Sequence, residues 1–475
     1  MSKPVDAVLI GAGQRGADSY APFALQHPER LRFVAVAEPI AARRERFAAQ
    51  HQIPRDRQFS SWEELLALPQ LGEAALVCTQ DHQHTAPALA AMRAGYHVLL
   101  EKPMATTPEE CRQLVAASQE TRRQLHICHV LRYTRHFQKM REIITSGRLG
   151  QVIDVAHREN VAFWHMAHSY VRGNWRNREQ SSPMILAKCC HDLDILLWLL
   201  EDAPTTDTAT TNAGCLRLSS TGALTHFRAE NAPAGAPQRC LDGCPAQATC
   251  PYYAPWFYQE MAPFWRSFAS TAKGFSGWAA STYLRHPQWM RAAARIAPPL
   301  RQMTDYRGWP LTVLAEDPTP ENINHALREG PYGRCVYHCD NNVVDHQVVS
   351  MQFAGDISVT LTMHGHSNIE YRTTRIEGTR GRLLAEFGNG GSFIEIDEHR
   401  SGAHTRMDTS PADPMGHGGG DPALVSAFLD SIRGTDTSTQ YAWTTAQQSL
   451  ASHLMAFAAE QARLEGIVIG AEAFR

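Results

Sequence analysis

The opening stretch of the chain restricts its fold more than any other. Val5-Asp6-Ala7-Val8-Leu9-Ile10 is a short apolar run that ends on Gly11-Ala12-Gly13-Gln14-Arg15-Gly16. A strand that passes through Gly-x-Gly-x-x-Gly into a helix is how a parallel α/β sheet holds a pyrophosphate. Gly11 permits the tight turn, Gly13 leaves room for backbone to approach phosphate, and Gly16 lets helix and strand pack closely. The N–H groups of the helix start, Gln14 and Arg15 included, then face the anion. The next apolar run, residues 32–37, ends on Glu38, where a carboxylate would accept hydrogen bonds from a ribose diol. Glu38 would repel a 2′-phosphate, which favours NAD over NADP. Arg43 and Arg44 follow closely enough to temper that preference.

Beyond Glu38 the pattern keeps alternating. Residues 41–51, 62–68, 86–94 and 108–122 carry helical patterns, and 74–78, 97–100 and 125–128 read as buried strands. Such alternation predicts a doubly wound parallel sheet over about residues 1–130. Ligands of such sheets bind beyond the carboxyl ends of the strands, so two strand ends matter. One carries Thr79-Gln80-Asp81-His82-Gln83-His84, where Thr79, His82 and His84 are expected to supply hydrogen bonds and helix-start contacts beside the nucleotide rather than a metal site. The other is Glu101-Lys102-Pro103. A lysine fixed there lies near the nicotinamide and can polarise a substrate oxygen; the alternative is a surface Lys102 paired with Glu101.

The glycine loop, the acidic strand end at Glu38, His84 before an alanine-rich helix, and Ala94-Gly95-Tyr96-His97-Val98-Leu99-Leu100-Glu101-Lys102-Pro103 together resemble the Gfo/Idh/MocA oxidoreductase family. The resemblance spans most of residues 5–200 and resumes after about residue 332. It implies a second, α+β domain (131–475) with an open, largely antiparallel sheet whose face covers the nicotinamide. It also implies a lysine, here Lys102, that contacts both cofactor and substrate. A Trp-Arg pair near substrate, here Trp175 and Arg176, belongs to the same pattern.

Residues 184–200 read as one helix, apolar nearly all round and therefore buried. Lys188 and His191 are three apart, on one face. A buried lysine near a histidine and Lys102 would have its pKa lowered by desolvation and like charge and could act as a base; the bland alternative is an ion pair from Lys188 to Asp192. His191 and Asp194 match the family's His-x-x-Asp, while the aspartate that many members carry four residues before the histidine is Ala187 here. The proton acceptor is thus His191 or Lys188.

The chain has 475 residues, 43% of them hydrophobic, and a formal net charge of -3. That is enough for two cored domains and gives no reason to expect nucleic acid or an anionic membrane as partner. No signal-like or membrane-spanning segment is evident, so a cytoplasmic location is expected, and eleven cysteines then suggest thiols or metal ligands. Residues 230–332 break the family pattern as an insertion rich in proline and tryptophan, read as a loop. Cys240-x-x-x-Cys244 and Cys250 have metal-ligand spacing one donor short of tetrahedral zinc. Cys335, ahead of Cys339, is the expected fourth. Free thiols, an oxidised pair and an iron–sulfur cluster are the competing readings.

After residue 332, stretches 343–353 and 357–364 alternate about a turn as a hairpin with one polar face. His346 on it, and His417 on the glycine-rich loop before a helix at 421, are candidates to reach substrate. A helix over 444–464 closes the chain. The expectation is an NAD-dependent oxidoreductase acting on a sugar, sugar derivative or polyol, forming a homodimer or homotetramer. The first rival is a redox-neutral, NAD-dependent glycosidase, an activity of some members of the resembling family; the second is a non-catalytic NAD- or sugar-sensing protein.

Overall fold

A computed structural model of the chain describes residues 3–204, 214–272, 274–388, 391–411, 418–435 and 443–474. The apolar runs form strands β1 (Val5–Ile10), β2 (Leu31–Ala37), β3 (Gln58–Phe59), β4 (Ala74–Val77), β5 (His97–Leu100) and β6 (Leu125–Ile127). They build a parallel sheet in the order β3-β2-β1-β4-β5-β6. β4 is buried at every residue, as a strand covered by helices on both faces must be. Register aligns the carboxyl ends. Ile10 stands beside Ala37 and Val77, and Val77 beside Leu100. The residues that follow, Gly11, Glu38, Cys78 and Glu101, therefore emerge along one edge. The strand order reverses between β1 and β4, which puts the switch point at that edge.

The second sheet has nine strands: β7 (Val152–Ala162), β8 (Cys215–Ala223), β9 (His346–Phe353), β10 (Ile357–Ser367), β11 (Tyr371–Gly378), β12 (Gly381–Gly388), β13 (Phe393–Glu398), β14 (His404–Asp408) and β15 (Ile469–Gly470). Their order is β14-β13-β12-β11-β7-β10-β9-β8-β15. Among the described residues, only the β7–β10 pair of this sheet is parallel. The expected hairpin is β9–β10, turning through Asp356 in a left-handed conformation. Ile357, Val359, Leu361 and Met363 are buried in one core with helix residues Leu193, Leu196 and Leu454. The closing helix runs Ala446–Glu465, and a capping box between Thr445 and Gln448 starts it.

Three expectations change. Residues 184–200 are two helices, Met184–Ala187 and Cys190–Leu200, because the backbone leaves helical geometry at Cys189. The helix after the glycine-rich loop starts at Gly420, one residue before the expected 421, with Gly419 as its N-cap. The insertion is helical rather than a loop: Ala254–Tyr258, Ala262–Thr271, Gly274–Arg285, Pro287–Ile296, Pro298–Thr304, Leu311–Leu314 and Pro320–Glu329. Its prolines do not break these helices. Pro255, Pro263, Pro287 and Pro320 sit in first turns, where the missing N–H has no intrahelical partner to lose. The insertion owns a core that includes Phe257, Tyr258, Trp265, Tyr283 and Leu327, while Trp278 and Trp289 are exposed. Among the described residues, no helix is long and apolar enough to cross a membrane.

Candidate active site

The glycine loop leaves β1 with Gly11 at φ +94, and a Cβ there would stand 2.5 Å from the Cys78 carbonyl oxygen. A Cβ at Gly16 would stand 2.3 Å from the Gly11 oxygen. Both glycines are demanded by the protein's own packing. Gly13 is different: its nearest neighbour would be an Arg43 guanidinium nitrogen at 4.0 Å. The fold leaves open space there, as close approach of a pyrophosphate requires.

Glu38 ends β2 beside this loop, buried, and accepts the Ala12 N–H at 2.8 Å and the Ile40 N–H at 3.0 Å. Gln14 is exposed at the start of the next helical turn. The Arg15 side chain pairs within the protein. It donates to Glu101 at 2.5 Å, to Tyr20 at 2.5 Å and to Asp421 at 2.9 Å. It therefore ties the loop to the end of β5 and to the helix Gly420–Arg433. Burial raises the Glu101 carboxyl, but Arg15 and Lys102 outweigh it and hold the pKa below its ordinary value.

Lys102 does not pair with Glu101 through its side chain. Its backbone N–H donates to that carboxylate at 2.7 Å, and Nζ donates to the Ala187 carbonyl at 3.1 Å. The ammonium thus meets the break between the two helices, one short turn from His191. His191 is buried and its ring stands edge-on to His129, centroids 5.6 Å apart. His129 in turn adjoins His453 at 5.2 Å. His453 accepts the Met104 N–H at Nε2 and donates from Nδ1 to the Ser449 carbonyl, so both nitrogens fix one neutral tautomer. Burial, aided by His129, lowers its pKa to about 3.

The expectation for Lys188 is overturned. Its ammonium lies between Glu159 of β7, at 3.2 Å, and Glu370, which it pairs closely. Burial alone would lower its pKa. The carboxylates of Glu159 and Glu370 overcome that and hold it above the ordinary lysine value, so Lys188 has no free pair with which to act as a base. The helix salt bridge to Asp192 is absent too. Asp192 accepts from His157 at 2.9 Å and from Arg372 at 2.7 Å. Burial raises Glu370, yet His165 and Lys188 pull it well below the usual carboxylate range. Glu159 moves the other way: burial pushes it up despite Arg372 and Lys188. The charge on Lys188 is thus held by both carboxylates, of which Glu370 is the closer.

His165, which is not among the candidate site residues of the sequence, donates from Nδ1 to Glu370 at 2.5 Å and packs against Trp164 and Trp309. Trp309 also meets His168 edge-on at 5.4 Å. The insertion thereby supplies an aromatic wall beside the Lys188–Glu370 pair. Its Glu316 pairs with Arg43 beside the glycine loop, so the same insertion spans both ends of the cleft. The Trp164-His165 dipeptide lies in an aromatic and basic stretch, the one local signal that could have found it.

Residues 5–129 match the sequence profile of an oxidoreductase family with an NAD-binding Rossmann fold, and residues 141–230 match that family's C-terminal alpha/beta domain. The chain belongs to the Gfo/Idh/MocA oxidoreductase family. The 1,5-anhydro-D-fructose reductase of Ensifer adhaerens is 37% identical over 150 residues, 31% of this chain and 43% of that protein. Inositol 2-dehydrogenase 2 of Saccharopolyspora erythraea is 33% identical over 141 residues, 29% of this chain and 38% of its own. The alignments thus span about two-fifths of these relatives. An inositol dehydrogenase homologue of Azotobacter vinelandii, solved with NAD+, superposes with a TM-score of 0.63 at 14% identity, covering 99% of this chain and 98% of that one. The WlbA dehydrogenase of Bordetella pertussis, solved with NADH and UDP-GlcNAcA, gives 0.59 at 15%, covering 98% and 99%. At these identities the likeness is one of fold.

Other candidate residues of this Gfo/Idh/MocA chain are placed as follows. Asp194 does not face a ligand: it is fully buried and accepts two hydrogen bonds from Arg132, at 2.7 and 2.6 Å. Trp175 donates from its indole to Asp81 at 2.8 Å, a bond that joins the two sheets' domains near Thr79. Arg176 is committed to Asp340 at 3.0 Å. His84 is a structural bridge, with its nitrogens on the carbonyls of Pro103 and Thr79, while His82 is exposed. His346 pairs with Asp345 at 2.8 Å at the start of β9, two strands across from β7, the strand that leads to His165. His417 lies outside the described residues.

Neither family profile reaches the insertion's cysteines. Cys240, Cys244, Cys250 and Cys335 all line one small cavity, together with Arg172 and Tyr252. Each is a free thiol. Among the described residues, no three His, Cys, Asp or Glu side chains already stand as a set able to hold a metal ion. Cys339 is turned onto the Cys335 carbonyl at 3.3 Å.

Proposed function

We propose that the chain is an NAD-dependent oxidoreductase that moves hydride between a carbinol carbon of a sugar, sugar derivative or polyol and nicotinamide. One observation carries this reading. Lys102 leaves the end of β5, beside the glycine loop at the switch point, and its ammonium is held at the Ala187 carbonyl next to His191. A cation and an imidazole then converge where a carbinol would meet a cofactor lying across the strand ends. The relatives named as a reductase and an inositol dehydrogenase support the substrate class.

The nicotinamide, when bound, supplies hydride acceptance and return. In this reading Lys102 donates a hydrogen bond to the substrate oxygen and stabilises the negative charge that develops on it. His191 takes the hydroxyl proton as the carbon loses hydride, leaving a ketone, and returns it in the reverse direction. Lys188, kept protonated between two carboxylates, positions and does not exchange a proton. The open space at Gly13 fits a pyrophosphate, and Glu38 retains lone pairs for a ribose diol. NAD is favoured over NADP because the two arginines able to welcome a 2′-phosphate are engaged. Arg43 pairs with Glu316, and Arg44 donates to the Glu38 carbonyl at 2.5 Å. The polar face of the second sheet, with Arg217, Thr221, Ser350 and Ser358 exposed, is assigned to a homodimer or homotetramer contact, which light scattering checks.

A second reading, the redox-neutral glycosidase, draws support from His165 on Glu370 against the Trp309 wall. There the extra base would be His165, since Lys188 is occupied. Product analysis with purified protein, NAD and a panel of polyols, sugars and aryl glycosides separates the readings. NADH formed in proportion to oxidised substrate supports the dehydrogenase. Aglycone released with NAD only catalytic supports the glycosidase, and NAD binding without turnover of any panel member supports a sensor.

A further inference from the structure

We propose that Cys240, Cys244, Cys250 and Cys335 bind one structural divalent ion of the zinc type, with the buried Arg172 guanidinium as its counter-charge. The centre pins the first and last segments of the insertion together behind the aromatic wall of the cleft.

The backbone brings the donors together. Segments 238–240 and 333–335 run as a short antiparallel pair through the Arg239–Arg334 bridge. The Cys240 N–H donates to the Gly333 carbonyl and the Cys335 N–H to the Gln238 carbonyl, each at 2.9 Å. A turn closed from the Cys250 N–H to the Ala246 carbonyl at 2.8 Å then folds Cys244 and Cys250 back. Four thiols that share a cavity with no carboxylate or imidazole among its lining residues form a soft donor set, which selects tetrahedral zinc over hard cations. Cys339, committed to a backbone carbonyl, leaves Cys335 as the fourth ligand. Metal binding draws the thiols from their present positions into ligand geometry and releases their protons.

Arg172 is the second, independent observation. Its side chain is 1% exposed. Its partners are the Arg334 carbonyl at 2.8 Å, the Tyr252 carbonyl at 2.7 Å and the Cys240 sulfur at 3.7 Å. No carboxylate is among its ion pairs in the described residues. A buried cation without a counter-charge is strongly unfavourable. A divalent ion with four thiolates carries a net charge of about -2, which supplies what Arg172 lacks. The location also has a consequence for the cleft. Arg172 ends the helical segment Met166–Arg172, whose His168 packs on Trp309 and on Tyr332 at 4.9 Å.

The test uses the full chain and does not depend on turnover, so it stands or fails apart from the oxidoreductase reading. Elemental analysis of protein purified under reducing conditions is expected to find about one zinc per chain. Cobalt exchanged into the unmutated protein should give the thiolate-to-metal charge-transfer bands of a four-sulfur tetrahedral site. Arg172→Met should weaken the metal about 10–100-fold in chelator competition, as loss of an outer-shell partner does. Cys240→Ser and Cys335→Ser should each remove the stoichiometric metal. Zinc absent from the unmutated protein, zinc that survives both serine substitutions, iron with visible absorption, or a disulfide among these cysteines would each overturn the assignment.

Discussion

Replacing Lys188 separates structure from chemistry at this site. The side chain is 11% exposed and joins Glu159, fully buried, to Glu370, 22% exposed. Lys188→Met keeps the aliphatic stem's packing and removes the charge. Breaking a buried ion pair from one side costs about 3–5 kcal/mol because the partner is left uncompensated. Here Glu159 keeps Arg372 at 2.7 Å and Glu370 keeps His165 at 2.5 Å, so the lower end, about 3 kcal/mol, is expected. Glu370→Gln added to Lys188→Met should recover about 1–2 kcal/mol, since the two residues are directly coupled. Urea unfolding of the two variants and the parent measures these differences. With substrate saturating, Lys188→Met should keep kcat within about tenfold, far short of the 10²–10⁴-fold loss of a general base, and leave the pH at which kcat rises unchanged. A variant as stable as the parent that loses turnover a thousandfold would restore Lys188 as the proton acceptor.

Three further outcomes follow from the same geometry. Lys102→Ala and His191→Ala should each lower turnover by about 10²–10⁴-fold while NAD affinity, read by fluorescence titration, stays largely intact; full activity in either would remove it from the site. Gly13→Ala meets nothing closer than 4.0 Å in the fold, so its unfolding midpoint should match the parent while the NAD Kd rises about tenfold or more, about 1.4 kcal/mol; unchanged affinity would contradict the pyrophosphate assignment. Burial holds His126, His136 and His453 down to about 3 from 6.5. The folded state keeps them neutral while the unfolded chain takes up protons below 6.5, so their stabilisation is complete above that pH and is lost as pH falls from 6.5 towards 3. Each should cost about 2 kcal/mol by pH 5, and equal urea midpoints at pH 7.5 and pH 5 would refute the burial of neutral imidazoles.

What could be read from sequence divides by how far away the deciding partner lies. The glycine loop, Glu38 and Lys102 were legible because each follows a strand directly, and parallel register alone carries them to one edge. The hairpin was legible for a similar reason: Ile357, Val359, Leu361 and Met363 alternate with polar residues, and a period of two fixes which face is buried. Helix-borne polar residues were not. Weighed only against its neighbours on the chain, Lys188 reads as a depressed base, but the carboxylates that keep it charged belong to other elements, Glu159 to β7 and Glu370 182 residues on. Asp194 matched a family position, yet Arg132, 62 residues earlier, consumes both its oxygens. In the insertion, the prolines suggest a loop by composition, although a proline in a first turn starts a helix as readily as an interior one ends it.

The cysteines fall between these cases. Cys240, Cys244 and Cys250 are a local pattern, visible without any fold. Cys335 reaches them only because the chain returns from the helical insertion to pair Arg334 with Arg239. The guanidinium that the proposed centre would balance comes from a third segment, at Arg172. A donor set assembled from local spacing is a matter of composition, whereas its counter-charge is a matter of tertiary structure. It is on the second that the proposed metal centre rests. The same division explains Lys188: a charge inside a protein takes its role from the opposite charge brought to it by another element, and no spacing along its own helix encodes that.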